Sequence, residues 1–195
     1  MKIFRGHLLL RILYNWKKLK KSVKEYRQAK FDNEILNLPN HFFDVLLLAE
    51  DHRFRRHIGV DFIALLRSIY KSLIVREKQG GSTIAMQLVR TITNDREQTV
   101  FRKVREIVLA IILTSYLNKD DILIMYMRIA YFGWNMEGLE SACIKLKIDI
   151  NNIEISDAVL LVSRLKYPEP RFENKNQSFK IYNRINYLYK RFVNR

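Results

Sequence analysis

Two adjacent acids, Glu50 and Asp51, follow the apolar run Leu46-Leu47-Leu48-Ala49. Because such a run is typical of a buried helix, one of the two carboxylates should lie near its apolar side. A carboxylate partly withdrawn from water holds a proton more strongly, which suits a general base or a general acid. The alternative is that both acids are solvated or paired with one of the three arginines within residues 53–56.

A second candidate segment begins with the glycine pair Gly80-Gly81 and continues with Ser82 and Thr83. Paired glycines allow backbone conformations closed to other residues, and Ser82 or Thr83 can cap the helix predicted to follow. The free amides at the start of a helix bind anionic oxygens, including those of phosphate. Gln87 and Arg90 lie farther along this helix. The alternative is an ordinary glycine loop with a serine cap.

A third candidate segment contains three cations, Arg102, Lys103 and Arg105, immediately before Glu106. Arg102 and Lys103 lie four and three residues before Glu106, so their side chains share a helix face with it. Because Glu106 leads into the apolar residues 107–109, it should need a cationic partner. The alternative is a surface salt bridge, which contributes only about 0.5 kcal/mol to a helix.

The three segments together resemble the signature motifs of the peptidoglycan glycosyltransferases, glycosyltransferase family 51. This family includes monofunctional biosynthetic transglycosylases and the transglycosylase domain of penicillin-binding proteins. The first two motifs are Glu50-Asp51-x-x-Phe54-x-x-His57-x-Gly59-x-Asp61 and Gly80-Gly81-Ser82-Thr83-Ile84, and the third is the segment before Glu106. Residues 119–133 look like the fourth motif and residues 138–168 contain the fifth, so the resemblance covers nearly the whole body of the chain.

The resemblance implies a lysozyme-like helical enzyme that polymerises a lipid-linked disaccharide-peptide, lipid II, into glycan strands. The transfer would invert the anomeric carbon and release lipid pyrophosphate. Glu50 would be the general base, and Glu106 would orient the cations or the donor sugar. The substrate-binding residues implied are Asp51, Ser82, Thr83, Gln87, Arg90, Arg102, Lys103 and Arg105. The resemblance implies no fixed metal site, and it implies a divalent cation, Mg²⁺ or Mn²⁺, that accompanies the substrate pyrophosphate.

Two alternatives compete with this interpretation. A lysozyme-like enzyme could cleave peptidoglycan, although a hydrolase has no pyrophosphate that would require cations. An inactive family member that binds a membrane surface is the other alternative, because Ala85-Met86 and Arg128 replace polar residues that are usual in the family motifs. The pI of about 10.0 also suggests nucleic-acid binding, but no helix-turn-helix spacing or stacking platform supports it.

The net charge of +15 is concentrated at the two ends of the chain. Residues 1–30 carry +9 and residues 164–195 carry +7, whereas the middle is nearly neutral. Basic ends indicate a polyanionic partner, such as an anionic membrane surface. The resemblance implies a location at the outer, periplasmic face of the bacterial inner membrane. With no signal peptide or membrane span evident, we expect the protein to be peripheral there. The glycan strand is the other expected partner, and no specific nucleic acid is expected.

The elements that must position these residues are mostly helical, because apolar residues recur at three- and four-residue intervals. Helices are predicted over 42–53, 61–75, 82–92, 100–117, 119–131, 136–147, 156–165 and 177–192, with a polar loop over 76–81. Asn118 and Ser156 are predicted N-caps. The apolar centre of the fourth helix, 107–113, suggests that this helix is buried all round.

The chain is therefore predicted to be an all-α, lysozyme-like domain with basic terminal arms, and strands form at most a small hairpin. Residues 1–38 would be a basic amphipathic arm, either on a membrane surface or packed on the domain. Residues 39–172 would form the glycosyltransferase domain, and 173–195 a basic helix packed on it or extending it. The single Cys143 is interpreted as a small buried helix residue.

Overall fold

The structure is a computed structural model that describes residues 2–31, 37–71, 74, 80–95, 97 and 99–195. Most of the predicted loop over 76–81 and the last residues of the helix predicted over 61–75 therefore lie outside the described residues. The described chain is mostly helical, and its two strands form one hairpin. The prediction of an all-α fold is confirmed.

The helices of the described ranges are numbered in chain order. They are α1 (Lys2–Phe31), α2 (Asn40–Glu50), α3 (Phe62–Tyr70), α4 (Ile84–Thr93), α5 (Val100–Tyr116), α6 (Lys119–Ile129), α7 (Leu139–Leu146), α8 (Ile155–Lys166) and α9 (Lys175–Val193). A short 3-10 helix, Phe54–Arg56, lies between α2 and α3. The antiparallel hairpin consists of β1 (Tyr131–Gly133) and β2 (Met136–Glu137). The chain divides into two compact units: the first contains residues 1–35 and 53–125, the second residues 36–52 and 126–195.

In the first unit, the long basic helix α1 packs on α4 and α5. It buries Leu19 and Val23, and Tyr26 Oη donates a hydrogen bond to Asp121 Oδ1 at 2.7 Å. Lys30 Nζ lies 2.6 Å from the same carboxylate. This helix is thus anchored by both apolar and polar contacts. In the part of the chain that the structure describes, no helix is long and apolar enough to cross a bilayer.

Helix α3 begins after Asp61, whose side chain accepts a hydrogen bond from the backbone N–H of Ala64 at 2.9 Å. The same carboxylate accepts two bonds from the guanidinium of Arg53, one of them at 2.8 Å. The apolar residues of α3 point outward: Ile63 is 64% exposed and Leu66 is 67% exposed. Part of the apolar surface of α3 is therefore open to solvent and is not packed within the unit.

Helix α5 is buried on one face only, so the prediction that it is buried all round is wrong. Within the apolar centre 107–113, Leu109, Ala110 and Leu113 are buried. The other four residues of the centre are only partly buried: Ile107, Val108, Ile111 and Ile112. The physical reason is that α4 and α1 are the helices packed on α5 within the first unit, and they do not surround it. An apolar composition therefore does not by itself establish burial on every side.

The second unit is built on α2, α8 and α9, which pack on one another. Several boundaries in this unit differ from the predictions. The helix predicted over 42–53, for example, ends at Glu50. Met136, predicted to begin a helix, lies in β2, and α7 starts only after Gly138, whose φ of 82° makes the turn. Helix α8 begins at Ile155, so Ser156 is not its cap. Instead, the carboxylate of Asp157 accepts a hydrogen bond from the backbone N–H of Glu154 at 3.1 Å.

Two further predictions are confirmed. Asn118 caps α6, because its side-chain oxygen accepts a hydrogen bond from the backbone N–H of Asp121 at 2.7 Å. Cys143 is buried in α7, and burial, assisted by the nearby acids Asp157 and Glu140, raises the pKa of its thiol to about 11. A thiol held in its neutral form is a poor nucleophile, which agrees with a packing role.

Replacing Arg53 by glutamine should lower the free energy of unfolding by about 2 kcal/mol at pH 7, because the buried Asp61 loses a charged partner. Burial raises the pKa of Asp61, but the hydrogen bonds from Arg53 and the Ala64 N–H outweigh it, so the folded pKa lies below 3.8. A lowered folded pKa stabilises the native state above the unfolded pKa, and this gain disappears as the pH falls through the folded value.

The difference in unfolding free energy between the parent protein and the Arg53→Gln variant should therefore shrink as the pH falls below 3.8. Chemical denaturation at a series of pH values measures it. The matched control is Arg67→Gln on the exposed side of α3, which should change stability by less than about 0.5 kcal/mol. If the difference in unfolding free energy between the parent protein and Arg53→Gln stayed constant from pH 7 to below pH 3.8, the interpretation would be contradicted.

Candidate functional site

A buried acid is surrounded by three cations in the first unit. Glu106 on α5 is only 2% exposed, and it accepts hydrogen bonds from Arg90 Nε at 2.6 Å and from Arg102 Nη1. Lys103 Nζ lies 3.6 Å from its other oxygen. Arg102 and Lys103 reach it because they lie one turn before it on the same helix face, and Arg90 reaches it from α4.

Ser82 joins this group from the loop before α4. Its hydroxyl oxygen accepts hydrogen bonds from Lys103 Nζ at 2.9 Å and from Arg90 Nη2 at 3.4 Å. We call the set of Ser82, Arg90, Arg102, Lys103 and Glu106 the Glu106 cluster. It brings together five residues predicted from separate motifs.

The position of Ser82 depends on its neighbour Thr83, which is the residue that caps α4. Thr83 Oγ1 accepts a hydrogen bond from the backbone N–H of Met86 at 3.2 Å and donates one to the Gly59 carbonyl oxygen at 2.6 Å. Gly59 has φ of 103°, and a Cβ there would lie 2.4 Å from the Ala110 carbonyl oxygen of α5. Only glycine fits this approach, which ties the start of α4 to α5.

The Glu106 cluster has more positive than negative charge. Three cations surround one acid, and the cations reach solvent while the acid does not: the side chain of Arg90 is half-exposed and those of Arg102 and Lys103 are partly exposed. Burial lowers the pKa of Lys103, as do Arg90 and Arg102, although Glu106 opposes the shift. An anion bound beside Lys103 would favour its charged form, so the arrangement suits a phosphate-bearing ligand.

The structure does not bring Arg105 into this cluster. Arg105 is 4% exposed and donates hydrogen bonds to Asp95 at 2.7 Å and to Glu97 at 2.8 Å. Burial lowers the pKa of this guanidinium, but its hydrogen bonds to the two acids outweigh burial and raise it. Arg105 therefore holds the segment before α5 in place. Gln87, another predicted binding residue, is half-buried on α4, and its backbone N–H bonds to the Thr83 carbonyl oxygen.

Glu50 is the last residue of α2 and lies in the second unit. Its carboxylate oxygen Oε1 lies 3.6 Å from Nη2 of Arg184, which also donates a hydrogen bond to the Ala49 carbonyl oxygen at 3.1 Å. Both side chains of this pair are mostly buried. Asp51 is buried beside it and ends the helix, with its backbone N–H donating to the Leu47 carbonyl oxygen at 3.0 Å.

Two of the three arginines that follow Asp51 pair with acids of the first unit. Arg53 pairs with Asp61, and Arg55 lies 2.6 Å from Asp120. Glu50 instead pairs with Arg184 on α9, a residue that was not predicted from the sequence.

A signal for Arg184 was present in the sequence. It lies three residues after Ile181 and four before Leu188, both of which are buried. Arg184 therefore falls on the buried stripe of a helix. A charged residue on such a stripe requires a partner.

Comparison with known proteins defines the class of this fold and site. The family model described as transglycosylase matches residues 17–193, so the chain belongs to the transglycosylase family. It is 32% identical over 132 residues to a monofunctional glycosyltransferase of Staphylococcus epidermidis, covering 66% of this chain and 49% of that protein.

Two penicillin-binding proteins are also similar to the chain. Penicillin-binding protein 1F of Bacillus subtilis is 29% identical over 145 residues, which is 73% of this chain and 20% of that protein. Penicillin-binding protein 1B of Haemophilus influenzae is 32% identical over 167 residues, which is 76% of this chain and 21% of that protein. The chain thus spans about half the length of the monofunctional relative and about a fifth of the penicillin-binding proteins.

Proposed function

We propose that the protein is a peptidoglycan glycosyltransferase that polymerises lipid II into glycan strands and releases lipid pyrophosphate. The observation that carries this proposal is the Glu106 cluster, in which one buried acid holds three cations that reach solvent. A pyrophosphate leaving group needs such a cluster, whereas hydrolysis of finished glycan does not. Membership of the transglycosylase family supports the same reaction.

Glu50 is the general base in this proposal. It removes the proton from the 4-hydroxyl of the acceptor N-acetylglucosamine, and the oxygen attacks the anomeric carbon of the donor N-acetylmuramic acid. A β-1,4 bond forms with inversion as the bond to the lipid pyrophosphate breaks. Arg184, 3.6 Å from the Glu50 carboxylate, fixes the orientation of the base. Asp51 supports Glu50 by ending helix α2.

The Glu106 cluster stabilises the departing pyrophosphate. Charge builds up on the leaving group in the transition state, and preorganised cations lower the barrier most where charge develops. Arg90, Arg102 and Lys103 supply the positive charge, and Ser82 with Gln87 supplies neutral donors. Glu106 does not react in this scheme. It fixes the positions of the three cations relative to one another, which a mobile surface side chain could not do.

A divalent cation, Mg²⁺ or Mn²⁺, fits this scheme only as a companion of the substrate. Within the described ranges, no group of three or more His, Cys, Asp or Glu side chains could hold a metal ion. The oxygens of Glu106 already accept hydrogen bonds from arginine. The pyrophosphate oxygens would therefore carry the ion, where it would add positive charge to the leaving group. Proton removal and stabilisation of the leaving group are both carried out by side chains of the protein in this scheme.

We place the protein at the outer face of the bacterial inner membrane, where lipid II is presented. An exposed apolar surface supports contact with lipid, because Phe62, Ile63 and Leu66 of α3 are all exposed, and so is Ile58 in the segment before α3. We call these four residues the α3 patch. An exposed guanidinium, Arg56, lies beside this apolar patch and borders the same cavity of about 370 Å³ as three of its residues. Apolar side chains beside cations are typical of surfaces that bind anionic bilayers.

Replacing Glu50 by glutamine should lower the rate of lipid II polymerisation by about 100-fold or more, because the amide cannot accept the proton. The rate is measured from glycan product, and circular dichroism confirms that the variant is folded. The control is Glu140→Gln on the exposed side of α7, which should keep the parent rate. A Glu50→Gln variant with the parent rate would remove Glu50 from the mechanism. Release of muropeptides from purified wall by the parent protein, without polymerisation, would indicate the lytic alternative.

Replacing Ile63 and Leu66 together by serine should weaken binding to phosphatidylglycerol vesicles about tenfold, because each substitution removes an apolar side chain from the lipid contact. Vesicle co-sedimentation measures the affinity. Ile144→Ser is the control, since Ile144 is even more exposed than Ile63 and Leu66 but lies on α7 in the second unit. Equal loss of binding in both variants would contradict a lipid-binding role for the α3 patch.

A further inference from the structure

A second cavity lies on the hairpin of the second unit, among residues to which the proposed mechanism gives no role. It has a volume of about 380 Å³ and is lined by Tyr131, Trp134, Asn135, Glu137 and Ser141. Its volume is within the range of small-ligand sites, which combine apolar walls with a few placed polar groups. We call it the hairpin cavity.

The backbone around the hairpin cavity is fixed. The Trp134 N–H donates to the Glu169 carbonyl oxygen at 2.9 Å, and the Glu169 N–H donates to the Phe132 carbonyl oxygen at 2.9 Å. Gly133 has φ of 145°, and a Cβ there would lie 2.4 Å from the Glu169 nitrogen. Phe132 is fully buried beneath the hairpin. A ligand therefore meets a preformed surface, which reduces the entropy cost of binding.

Two aromatic side chains form the apolar part of the hairpin cavity. Trp134 is 40% exposed and Tyr131 is 48% exposed. The guanidinium of Arg171 lies 4.5 Å from the centre of the Trp134 ring, and it also lies 5.1 Å from the ring of Phe172. A guanidinium at this distance from an indole makes an attractive cation–π contact. Trp134 is still 40% exposed, so a ligand can reach part of its ring.

The polar groups of the hairpin cavity have unused hydrogen-bonding capacity. Among the residues that the structure describes, four make no side-chain hydrogen bond within the protein: Tyr131, Trp134, Asn135 and Glu137. Asn135 and Glu137 are both exposed. The Ser141 hydroxyl is already engaged, because it donates to the carbonyl oxygens of Glu137 and Gly138. An amide and a carboxylate beside two aromatic rings therefore face the cavity with donors and acceptors available.

We infer that the hairpin cavity binds carbohydrate, and that its ligand is a β-1,4-linked amino-sugar strand. One face of a pyranose ring presents C–H groups that pack on an aromatic ring, and its edge presents hydroxyls that bond to amide and carboxylate groups. A lipid tail would leave Asn135 and Glu137 without partners, and a pyrophosphate would be repelled by Glu137. This inference rests on the proposed function, because such a strand is the product of that reaction.

The site would retain the strand between successive additions of disaccharide. A strand that stays bound is extended further before it dissociates, so loss of the site should shorten the product more than it slows the first addition. The role is one of binding, since the hairpin cavity does not touch the reacting atoms in the mechanism above.

The test uses uncross-linked strands of alternating N-acetylglucosamine and N-acetylmuramic acid as the probe, without any lipid-linked donor. The chain has two tryptophans, so Trp16→Phe leaves Trp134 as the single fluorescent reporter. Titration with strands should change its emission and saturate. Calorimetry should then show about tenfold weaker binding for Trp134→Ala and a similar loss for Glu137→Ala, while Trp134→Phe keeps most of the affinity.

The matched control is Tyr182→Ala, which removes an exposed aromatic ring from α9 in the same unit. It should keep the parent affinity. Unchanged emission of Trp134 on titration, or equal affinities for Trp134→Ala and Tyr182→Ala, would overturn the inference. Circular dichroism and the Trp134→Phe variant distinguish a lost site from a misfolded chain.

A parallel polymerisation assay separates this inference from the proposed function. Strand binding that depends on Trp134, in a protein that does not polymerise lipid II, would uphold the carbohydrate site and reject the polymerase. Normal polymerisation together with strand binding that is insensitive to Trp134 would reject the carbohydrate site alone. Shorter products from Trp134→Ala than from Tyr182→Ala, at similar initial rates, would support both.

Discussion

The buried carboxylate of Glu106 is the constraint on which the charged part of the first unit depends. Without it, Arg90, Arg102 and Lys103 would repel one another at the junction of α4 and α5. With it, they are held at fixed positions while the cluster keeps an excess of positive charge. Removing one member of a buried ion pair costs several kcal/mol, so the cluster contributes to the stability of the first unit. The proposed role in pyrophosphate release rests on the excess positive charge that Glu106 holds in place.

Much of the fold could be predicted because local signals and packing agree. The caps at Asn118 and Thr83 were among the predicted ones, since a short polar side chain before an apolar run stabilises a helix start in almost any context. The exposed face of α3 and the partly exposed α5 were not predicted, because apolar spacing shows which residues share a face but not what covers it. Met136 lies in a strand because tertiary pairing of the hairpin overrides a weak helical pattern.

In the candidate site, too, some contacts could be predicted from the sequence and others could not. The pairing of Glu106 with Arg102 and Lys103 follows from helix spacing, and both ion pairs are present in the structure. Arg105 lies in the same run, yet its neighbours Asp95 and Glu97 come from the preceding segment, which helix spacing does not place. Arg184 reaches Glu50 across more than a hundred residues of sequence, so only the packing of α9 on α2 reveals it. Catalytic and binding roles for these residues stay predictions.

Calorimetric titration with a soluble, short-chain lipid pyrophosphate tests the central claim about the Glu106 cluster most directly. The parent protein should bind with an affinity that falls as salt rises, and Lys103→Met should bind about tenfold more weakly, a difference of about 1.4 kcal/mol. The control, Lys180→Met, removes an equal charge from an exposed position on α9 and should bind like the parent. Equal affinities for Lys103→Met and Lys180→Met would contradict the account.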